Sequence, residues 1–266
     1  MAEHNTTRMR QLIETLNKAS EAYYNGQGEL MTDYEWDAAF DELKALEDIT
    51  GIVLPDSPTA KVSEDDMSGQ KEEHEFPALS LAKTKQPQEL AKWAEDREIW
   101  LSWKLDGLTL VVTYDNGRLT KVVTRGNGHI GTNITRLAPA IDGILPTIAY
   151  KGHLVIRGEA VISYKDFEQF LMEQDEDYAN PRNLASGSLT LKDVDEVKQR
   201  HIHWIPFTLV YADDEILSWG ERMAFLANQG FDTVEREKIT NPTLSNIEAC
   251  IDRWTQKVTN GSCPYP

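Results

Sequence analysis

The chain has 266 residues, 40% of them hydrophobic and 27% charged, which is ordinary for a globular protein large enough to bury a sizeable core. Its 44 acidic and 27 basic side chains give a formal net charge of −17, and this balance excludes strong DNA binding through a generally basic surface. No apolar run approaches the roughly 20 residues of a membrane helix, and the polar N-terminus lacks a signal-peptide core, so we expect a cytoplasmic protein without membrane contact.

Two amphipathic helices are predicted at the start of the chain. Apolar side chains recur at helical spacing within residues 9–23 and again within 36–46, and the breaker sequence 25–28 separates the two runs. Because two helices bury too little surface to be stable alone, we expect this unit to dock on another part of the protein.

A change of composition predicts a second domain. Residues 49–75 combine turn formers with acidic side chains and show no periodicity, which indicates a connector. We therefore predict a helical domain with its connector at 1–70 and a second domain at 71–266.

The second domain is predicted to mix helices with antiparallel strands. Alternating or β-branched runs predict strands at 99–103, 108–114, 118–124, 154–162 and 202–210. Helical spacing predicts helices at 87–97, 163–173, 218–229 and 243–258. The pair Asn116-Gly117 between two strand runs is a hairpin signal, so the predicted fold class is α+β with an antiparallel sheet.

The sequence around Lys104 is the first candidate for chemistry. Lys104 follows a predicted strand and stands two residues before the turn Asp106-Gly107. A lysine nucleophile must be neutral, and burial, a nearby cation or a metal on a phosphate can lower its pKa. Taken alone, such a short match more often marks an exposed lysine beside a turn.

Three later stretches add candidates in order along the chain. Residues 124–131 place three glycines around Arg125, which is typical of a phosphate-side loop or of a long flexible turn. Glu159 ends a hydrophobic strand, where it can bind ribose hydroxyls, orient a metal or form a surface ion pair. Residues 178–183 include Arg182 and form a turn before a helix, which either cradles a phosphate or is an ordinary helix start.

The order and spacing of these motifs resemble the NAD⁺-dependent DNA ligases of bacteria and some phages. The resemblance implies an ATP-grasp-like nucleotidyltransferase domain in which Lys104 is the adenylated lysine. It matches Arg125 to the arginine of the family's Thr-Arg-Gly-Asp-Gly loop, and Glu159 to the glutamate of its Arg-Gly-Glu motif. Arg182 matches the arginine of the Ala-Asn-Pro-Arg-Asn motif, which acts near the DNA and phosphates.

The same resemblance assigns the two halves of NAD⁺ to two pockets. On the adenosine side it implies Ser80, Leu81, Ser102, Asp106 and Phe207. On the nicotinamide mononucleotide (NMN) side it implies Tyr23, Tyr24, Asp33, Trp36 and Asp37 in the helical unit. ATP-dependent ligases share the lysine motif but lack such a unit, so the helical residues favour NAD⁺ as the AMP donor.

Several positions depart from the family pattern. Tyr24 stands where the family has His, Trp36 and Phe207 where it has Tyr, and Ser102 where it has Glu. Asn127 replaces an Asp, and Thr190 replaces an Arg. The chain also stops before the family's last adenylation motifs, its OB-fold and its helix-hairpin-helix domain. We therefore expect either a fragment or one subunit of a split ligase whose second polypeptide supplies the missing parts.

The expected reaction is attack of Lys104 on NAD⁺ with release of NMN, followed by AMP transfer to the 5′-phosphate of nicked double-stranded DNA. Mg²⁺ is the expected cofactor, with Glu159 as its candidate ligand. Two alternatives remain open from the residues. One is a non-catalytic NAD⁺-binding or regulatory subunit of a split ligase, and the other is an ATP-using nucleotidyltransferase.

Overall fold

The computed structural model describes residues 2–24, 30–31, 33–54, 56–61, 70–79, 82–173 and 178–266. Within these ranges it leaves out the side chains of residues 2–4, 20–24, 33, 34, 37, 60 and 61.

The N-terminal part is a helical hairpin, as the apolar spacing predicts. Helix α1 (Ala2–Tyr24) packs against α2 (Asp33–Thr50), and the short helix α3 (Pro58–Lys61) follows. Its buried core consists of Met9, Leu12, Ile13, Leu16 and Leu43. Arg8 donates to both carboxylate oxygens of Glu42, at 2.8 and 2.7 Å, and so links the two helices on their exposed side.

Eight strands follow along the described part of the chain: β1 (Lys71–Glu73), β2 (Ile99–Ser102), β3 (Leu108–Asp115), β4 (Arg118–Thr124), β5 (Ile130–Thr132), β6 (Leu154–Val161), β7 (His203–Ala212) and β8 (Arg236–Ile239). The helices among them are α4 (Pro87–Ala94), α5 (Tyr164–Glu173), α6 (Pro181–Ser188), α7 (Val194–Lys198), α8 (Trp219–Asn228) and α9 (Leu244–Thr259), with a 3₁₀ helix at Thr135–Ala140.

The central sheet has the order β4-β3-β6-β7, and every neighbouring pair is antiparallel. This confirms the predicted α+β class. The β3–β4 hairpin turns at Asn116 and Gly117, whose φ angles are +49° and +73°, as a two-residue type I′ turn requires.

Two extra residues of β7, Val210 and Phe207, interrupt its pairing with β6. Arg157 pairs with Thr208 and Gly158 with Pro206, so Phe207 is a bulge residue without a rung of its own.

The two faces of the central sheet have different roles. One face, with Leu110, Ile156 and Trp204, is buried against the helices in the main core. Register and strand alternation place Thr109 and Val111 of β3, and Val155, Arg157 and Glu159 of β6, on the opposite face. We call this opposite face the site face.

Two small ribbons flank the sheet. Strands β1 and β5 form one, and β2 and β8 form the other, which packs on α4 and α9 through a core of Ile239, Ile247, Cys250 and Trp254. The predicted connector at 49–75 includes regular elements, because α2 continues to Thr50 and residues 58–61 and 71–73 form α3 and β1. Among the described helices, none is long and apolar enough to cross a membrane.

Candidate active site

Lys104 lies on the short link between β2 and β3, where its side chain is exposed. The link is held tightly against β6, since a Cβ at Gly107 would stand 2.1 Å from the carbonyl oxygen of Ala160. Only glycine permits this approach. The backbone N–H of Asp106 also donates to the carbonyl of Pro266 at 2.9 Å, which fixes the link from its other side.

Glu159 connects this link to the site face. Its carboxylate is buried and accepts hydrogen bonds from the backbone N–H of Gly107 at 3.2 Å and from Thr109 Oγ1 at 2.8 Å. Burial raises the pKa of Glu159, while these two hydrogen bonds and the charges of Arg182 and Lys104 act in the opposite direction. The structure therefore brings Lys104, Glu159 and Arg182 within electrostatic reach of one another.

Arg182 enters the site from helix α6. Asn180 caps this helix, accepting from the N–H of Asn183 at 2.8 Å, and Pro181 occupies the first helical position. Arg182 Nη1 then donates to Asp106 Oδ1 at 2.7 Å. Two of the predicted motifs, far apart in the sequence, thus meet beside Lys104.

The glycine-rich loop after β4 is closely packed. A Cβ at Gly126 would stand 1.9 Å from the carbonyl oxygen of Ile130, so no side chain fits there. Asn127 Oδ1 accepts from the N–H groups of His129 and Ile130, at 2.9 and 2.8 Å. Because a carboxylate oxygen could accept the same bonds, Asn127 preserves the loop despite its departure from the family pattern.

Arg125 begins this loop and faces a neighbouring segment. Its Nε donates to the carbonyl of Ala78 at 2.9 Å, and its own carbonyl is within hydrogen-bond distance of His74 Nε2, at 3.0 Å. In this structure Arg125 therefore helps to hold the backbone near Ala78, and its predicted contact with a phosphate stays a prediction.

Sequence reasoning did not assign a role to Arg157 or Thr109. Both lie on the site face beside Glu159. Strand alternation could have found Arg157, because it stands two residues before Glu159 in a β run. Thr109 is identified only by its pairing with Glu159 across two strands.

Of the remaining predicted residues on the adenosine side, the structure describes two, and they lie in different elements. Ser102 ends β2 and pairs directly with Arg236 of β8. Phe207 is half-buried against the main core, and its carbonyl accepts a hydrogen bond from Trp219 Nε1 at 3.1 Å. Ser80 and Leu81 lie outside the described residues.

The predicted NMN residues are described only in part. The side chains of Tyr23, Tyr24, Asp33 and Asp37 lie outside the described set. Trp36 stacks on Phe40 with ring centroids 4.9 Å apart and packs on the helical core.

A cavity of about 630 Å³ adjoins Lys104, which is a size that suits a small-molecule ligand. Its lining includes Trp103, Lys104, Tyr164, Lys165, Cys263 and Tyr265. Within the described residues there is no cluster of three or more His, Cys, Asp or Glu side chains that could hold a metal ion.

Two family models match the chain. The NAD-dependent DNA ligase adenylation domain matches residues 67–262, and the DNA ligase-like, N-terminal NAD⁺-binding domain matches residues 2–63.

Two curated relatives support the same family. The DNA ligase of Ruminiclostridium cellulolyticum is 42% identical over 262 residues, which cover 96% of this chain and 39% of that protein. The DNA ligase of Lachnoclostridium phytofermentans is 43% identical over 244 residues, which cover 90% of this chain and 37% of that protein. Among solved structures, the ligase domain from M. tuberculosis LigD has a TM-score of 0.35 and 18% identity, covering 59% of this chain and 45% of its own.

Proposed function

Because this chain belongs to the NAD⁺-dependent DNA ligase family, we propose that Lys104 attacks the adenylyl phosphorus of NAD⁺ and retains AMP. The amine forms a P–N bond as the pyrophosphate P–O bond breaks, the lysine gives up a proton, and NMN leaves with the electron pair on its phosphate oxygen. The observation that carries this proposal is that Lys104, Glu159 and Arg182 lie around the link between β2 and β3, which Gly107 allows to pack closely on β6.

We assign the other predicted residues to the two halves of NAD⁺. Glu159 accepts ribose hydroxyls, and Arg125 and Arg182 donate to phosphate oxygens. Ser80, Leu81, Ser102, Asp106 and Phe207 surround the adenosine. Tyr23, Tyr24, Asp33, Trp36 and Asp37 hold the NMN half. This division follows the proposed domains, a helical NMN-binding unit at 1–70 and an adenylation domain at 71–266.

Mg²⁺ fits this site as an ion held mainly by the nucleotide. It commonly binds through one or two carboxylates together with substrate phosphates. Each oxygen of Glu159 accepts one hydrogen bond in the structure and keeps a further lone pair, so Glu159 is the proposed protein ligand. When bound, the ion would neutralise charge that develops on the phosphate.

We further propose that AMP passes to the 5′-phosphate of nicked double-stranded DNA. The chain spans about two fifths of the length of the curated relatives, 39% and 37%. With a net charge of −17, it is poorly suited to grip DNA phosphates by itself. Further domains or a second polypeptide would supply that grip.

The test is intact mass spectrometry of the chain after mixing with Mg²⁺ and either NAD⁺ or ATP. An AMP adduct is expected with NAD⁺ only. It should disappear in Lys104→Ala and persist in Lys165→Ala, because Lys165 lines the same cavity without being the proposed nucleophile.

The other outcomes separate the alternatives. An adduct with ATP instead of NAD⁺ indicates an ATP-using nucleotidyltransferase. Binding of NAD⁺ without any adduct, even with added C-terminal domains, indicates a non-catalytic NAD⁺-binding subunit. An adduct that survives Lys104→Ala shows that another residue is the nucleophile.

A further inference from the structure

A short extended segment, residues 74–79, lies over one end of the site face. Its side chains Phe76 and Ala78 pack on Val111 and Val155 of the central sheet. Phe76 also stacks on Tyr211 of β7, with ring centroids 5.0 Å apart and an interplanar angle of 17°. We call residues 74–79 the overlying segment.

Two arginines, Arg157 of β6 and Arg125 at the start of the loop after β4, hold the backbone of the overlying segment. Arg157 Nη2 donates to the carbonyls of Phe76 and Pro77, at 3.3 and 2.6 Å. Arg125 Nε donates to the next carbonyl, that of Ala78, at 2.9 Å. Three successive carbonyls therefore accept from guanidinium groups. On its other edge, the N–H of Ala78 donates to the carbonyl of Gly128 at 2.7 Å.

Arg157 stands two residues before Glu159 on β6, so the two side chains share the site face about 7 Å apart along the strand. A single strand therefore carries both the buried carboxylate near Lys104 and the anchor of the overlying segment. Leu79, the last residue of the segment, is 57% exposed, and a Cβ at Gly128 would touch its Cδ2 at 3.4 Å. An exposed leucine there offers an apolar surface to a flat ring.

Stability alone is a poor explanation for an arginine at this position. Burial lowers the pKa of Arg157, and the nearby charge of Arg125 lowers it further. Its Nε is also buried without a hydrogen-bond partner among the described residues. A buried donor without a partner weakens the folded state, and an apolar side chain would avoid that loss.

We propose that Arg157 is a positioning residue for the adenosine half of NAD⁺. By fixing the carbonyls of Phe76 and Pro77, it sets the course of the overlying segment, so that Leu79 forms one wall of the adenine pocket. This inference rests on the proposed function, since it needs adenosine to bind beside Glu159.

The test compares two arginines that each bridge two backbone carbonyls. Arg222 of α8 donates to the carbonyls of Ile216 and Leu209, at 2.8 and 3.3 Å. Lysine keeps the charge at either position but lacks the planar guanidinium fork. The dissociation constants of NAD⁺ and AMP would be measured by calorimetry on the whole chain for wild type, Arg157→Lys and Arg222→Lys.

Arg157→Lys is expected to weaken both ligands about tenfold, which corresponds to the loss of one charge-assisted hydrogen bond. Arg222→Lys should bind both within about twofold of wild type. Amide exchange at Ala78 should accelerate in Arg157→Lys alone, because its N–H lies on the loosened segment. This local readout separates positioning from a general loss of stability.

Unchanged affinity in a folded Arg157→Lys, or equal weakening by both variants, overturns the inference and leaves the proposed function standing. A wild-type chain that binds neither NAD⁺ nor AMP overturns both. If Arg157→Lys does not fold, Tyr211→Leu loosens the same segment from its other side. Tyr211 is 37% exposed, so this change should leave the fold intact and weaken AMP; wild-type AMP affinity in Tyr211→Leu would overturn the inference.

Discussion

Arg182 donates from Nη1 to Asp106 Oδ1 over 2.7 Å, so the first turn of α6 is joined to the link that carries Lys104. Both side chains are still accessible to solvent, at 43% and 41%. An ion pair of this exposure contributes little to folding, and its importance lies in where it places the arginine.

We predict that Arg182→Ala lowers the free energy of unfolding by less than about 1 kcal/mol yet slows AMP transfer to Lys104 by about tenfold or more. Urea unfolding and the rate of adduct formation measure the two effects. Arg253→Ala is the control, because it removes a similarly exposed pair with Glu237 away from the site. Equal slowing by the two variants would contradict a specific role for Arg182.

Glu159→Gln should separate the charge of Glu159 from its hydrogen bonds. The amide oxygen can accept from the N–H of Gly107 while its nitrogen donates to Thr109 Oγ1, so both contacts survive. We expect the variant to fold but to lose most AMP transfer, because the neutral amide holds a ribose hydroxyl or a cation less firmly.

The same variant gives a pH signature. The folded-state pKa of Glu159 is raised above 4.5, so its contribution to stability is full below that value and is lost as pH rises through the folded-state pKa. Glu159→Gln has no such loss. Its stability relative to wild type should therefore increase from pH 4 towards neutral pH in urea titrations, and a constant difference would argue against burial as the cause.

His153 should make stability depend on pH near neutrality. Its two ring nitrogens lie 2.6 Å from Asp115 Oδ1 and 3.0 Å from Glu75 Oε2, and its backbone N–H donates to Asp213. Burial lowers the pKa of His153, but the hydrogen bonds to Asp115 and Glu75 outweigh it and raise the pKa above 6.5. The contact therefore stabilises the fold fully below 6.5 and is lost as pH rises through the higher folded-state pKa.

As pH rises from 6.5 through the folded-state pKa of His153, the free energy of unfolding of wild type should fall by up to about 1 kcal/mol. The effect is this small because the carboxylates of Glu75 and Asp115 are both more than half exposed. His153→Gln should show no such decline, while the exposed His129→Gln should follow wild type. At low pH, Asp115 has the opposite effect, because its pKa is lowered in the folded state. Its contribution to stability is present above pH 3.8 and is lost only as pH falls through its folded-state pKa. Parallel pH profiles for wild type and His153→Gln would refute this prediction.

Gly107→Ala should be severely destabilising, because the new methyl group would stand 2.1 Å from the carbonyl oxygen of Ala160. We expect a loss of about 3 kcal/mol or more and no detectable adduct at Lys104. Gly230→Ala is the matched control, since it has a φ of +96° but an ordinary contact of 3.6 Å to Leu145. In urea unfolding, Gly230→Ala should lower the free energy of unfolding by only about 1–2 kcal/mol. Equal losses in the two variants would mean that crowding at Ala160 does not cause the destabilisation of Gly107→Ala.

Turn residues, helix-start residues and apolar spacing predicted the elements that depend on interactions between residues close in sequence. Asn116 and Gly117 adopt the positive φ angles that make the hairpin between β3 and β4, and Asn180-Pro181 starts helix α6. Apolar spacing similarly identified the buried faces of α1 and α2.

Elements that depend on distant partners escaped prediction. Strand β1 has the sequence Lys-Glu-Glu, which carries no apolar period, and it forms because it pairs with β5 far along the chain. Lys121 reinforces it through an ion pair with Glu72 at 2.5 Å. Strand β8 was missed for the same reason, since only its pairing with β2 defines it.

The candidate site shows the same limit. Motif order located Lys104, Glu159 and Arg182, and the structure brings these three together. The hydrogen bonds of Arg157 to Phe76 and Pro77 join positions about 80 residues apart, so no pattern within one motif could reveal them.

The unpaired position of Phe207 offers an opening for protein engineering. A bulged residue has no paired partner across the strands, so replacing its side chain leaves the pairing of β6 with β7 in place, and only the contact of Phe207 with the main core limits the size of the replacement. The hydrogen bond from Trp219 uses its main-chain carbonyl, which any replacement keeps. Under the proposed contact of Phe207 with adenosine, a library of substitutions at this one position would select variants that accept AMP from synthetic dinucleotides while the surrounding fold stays constant.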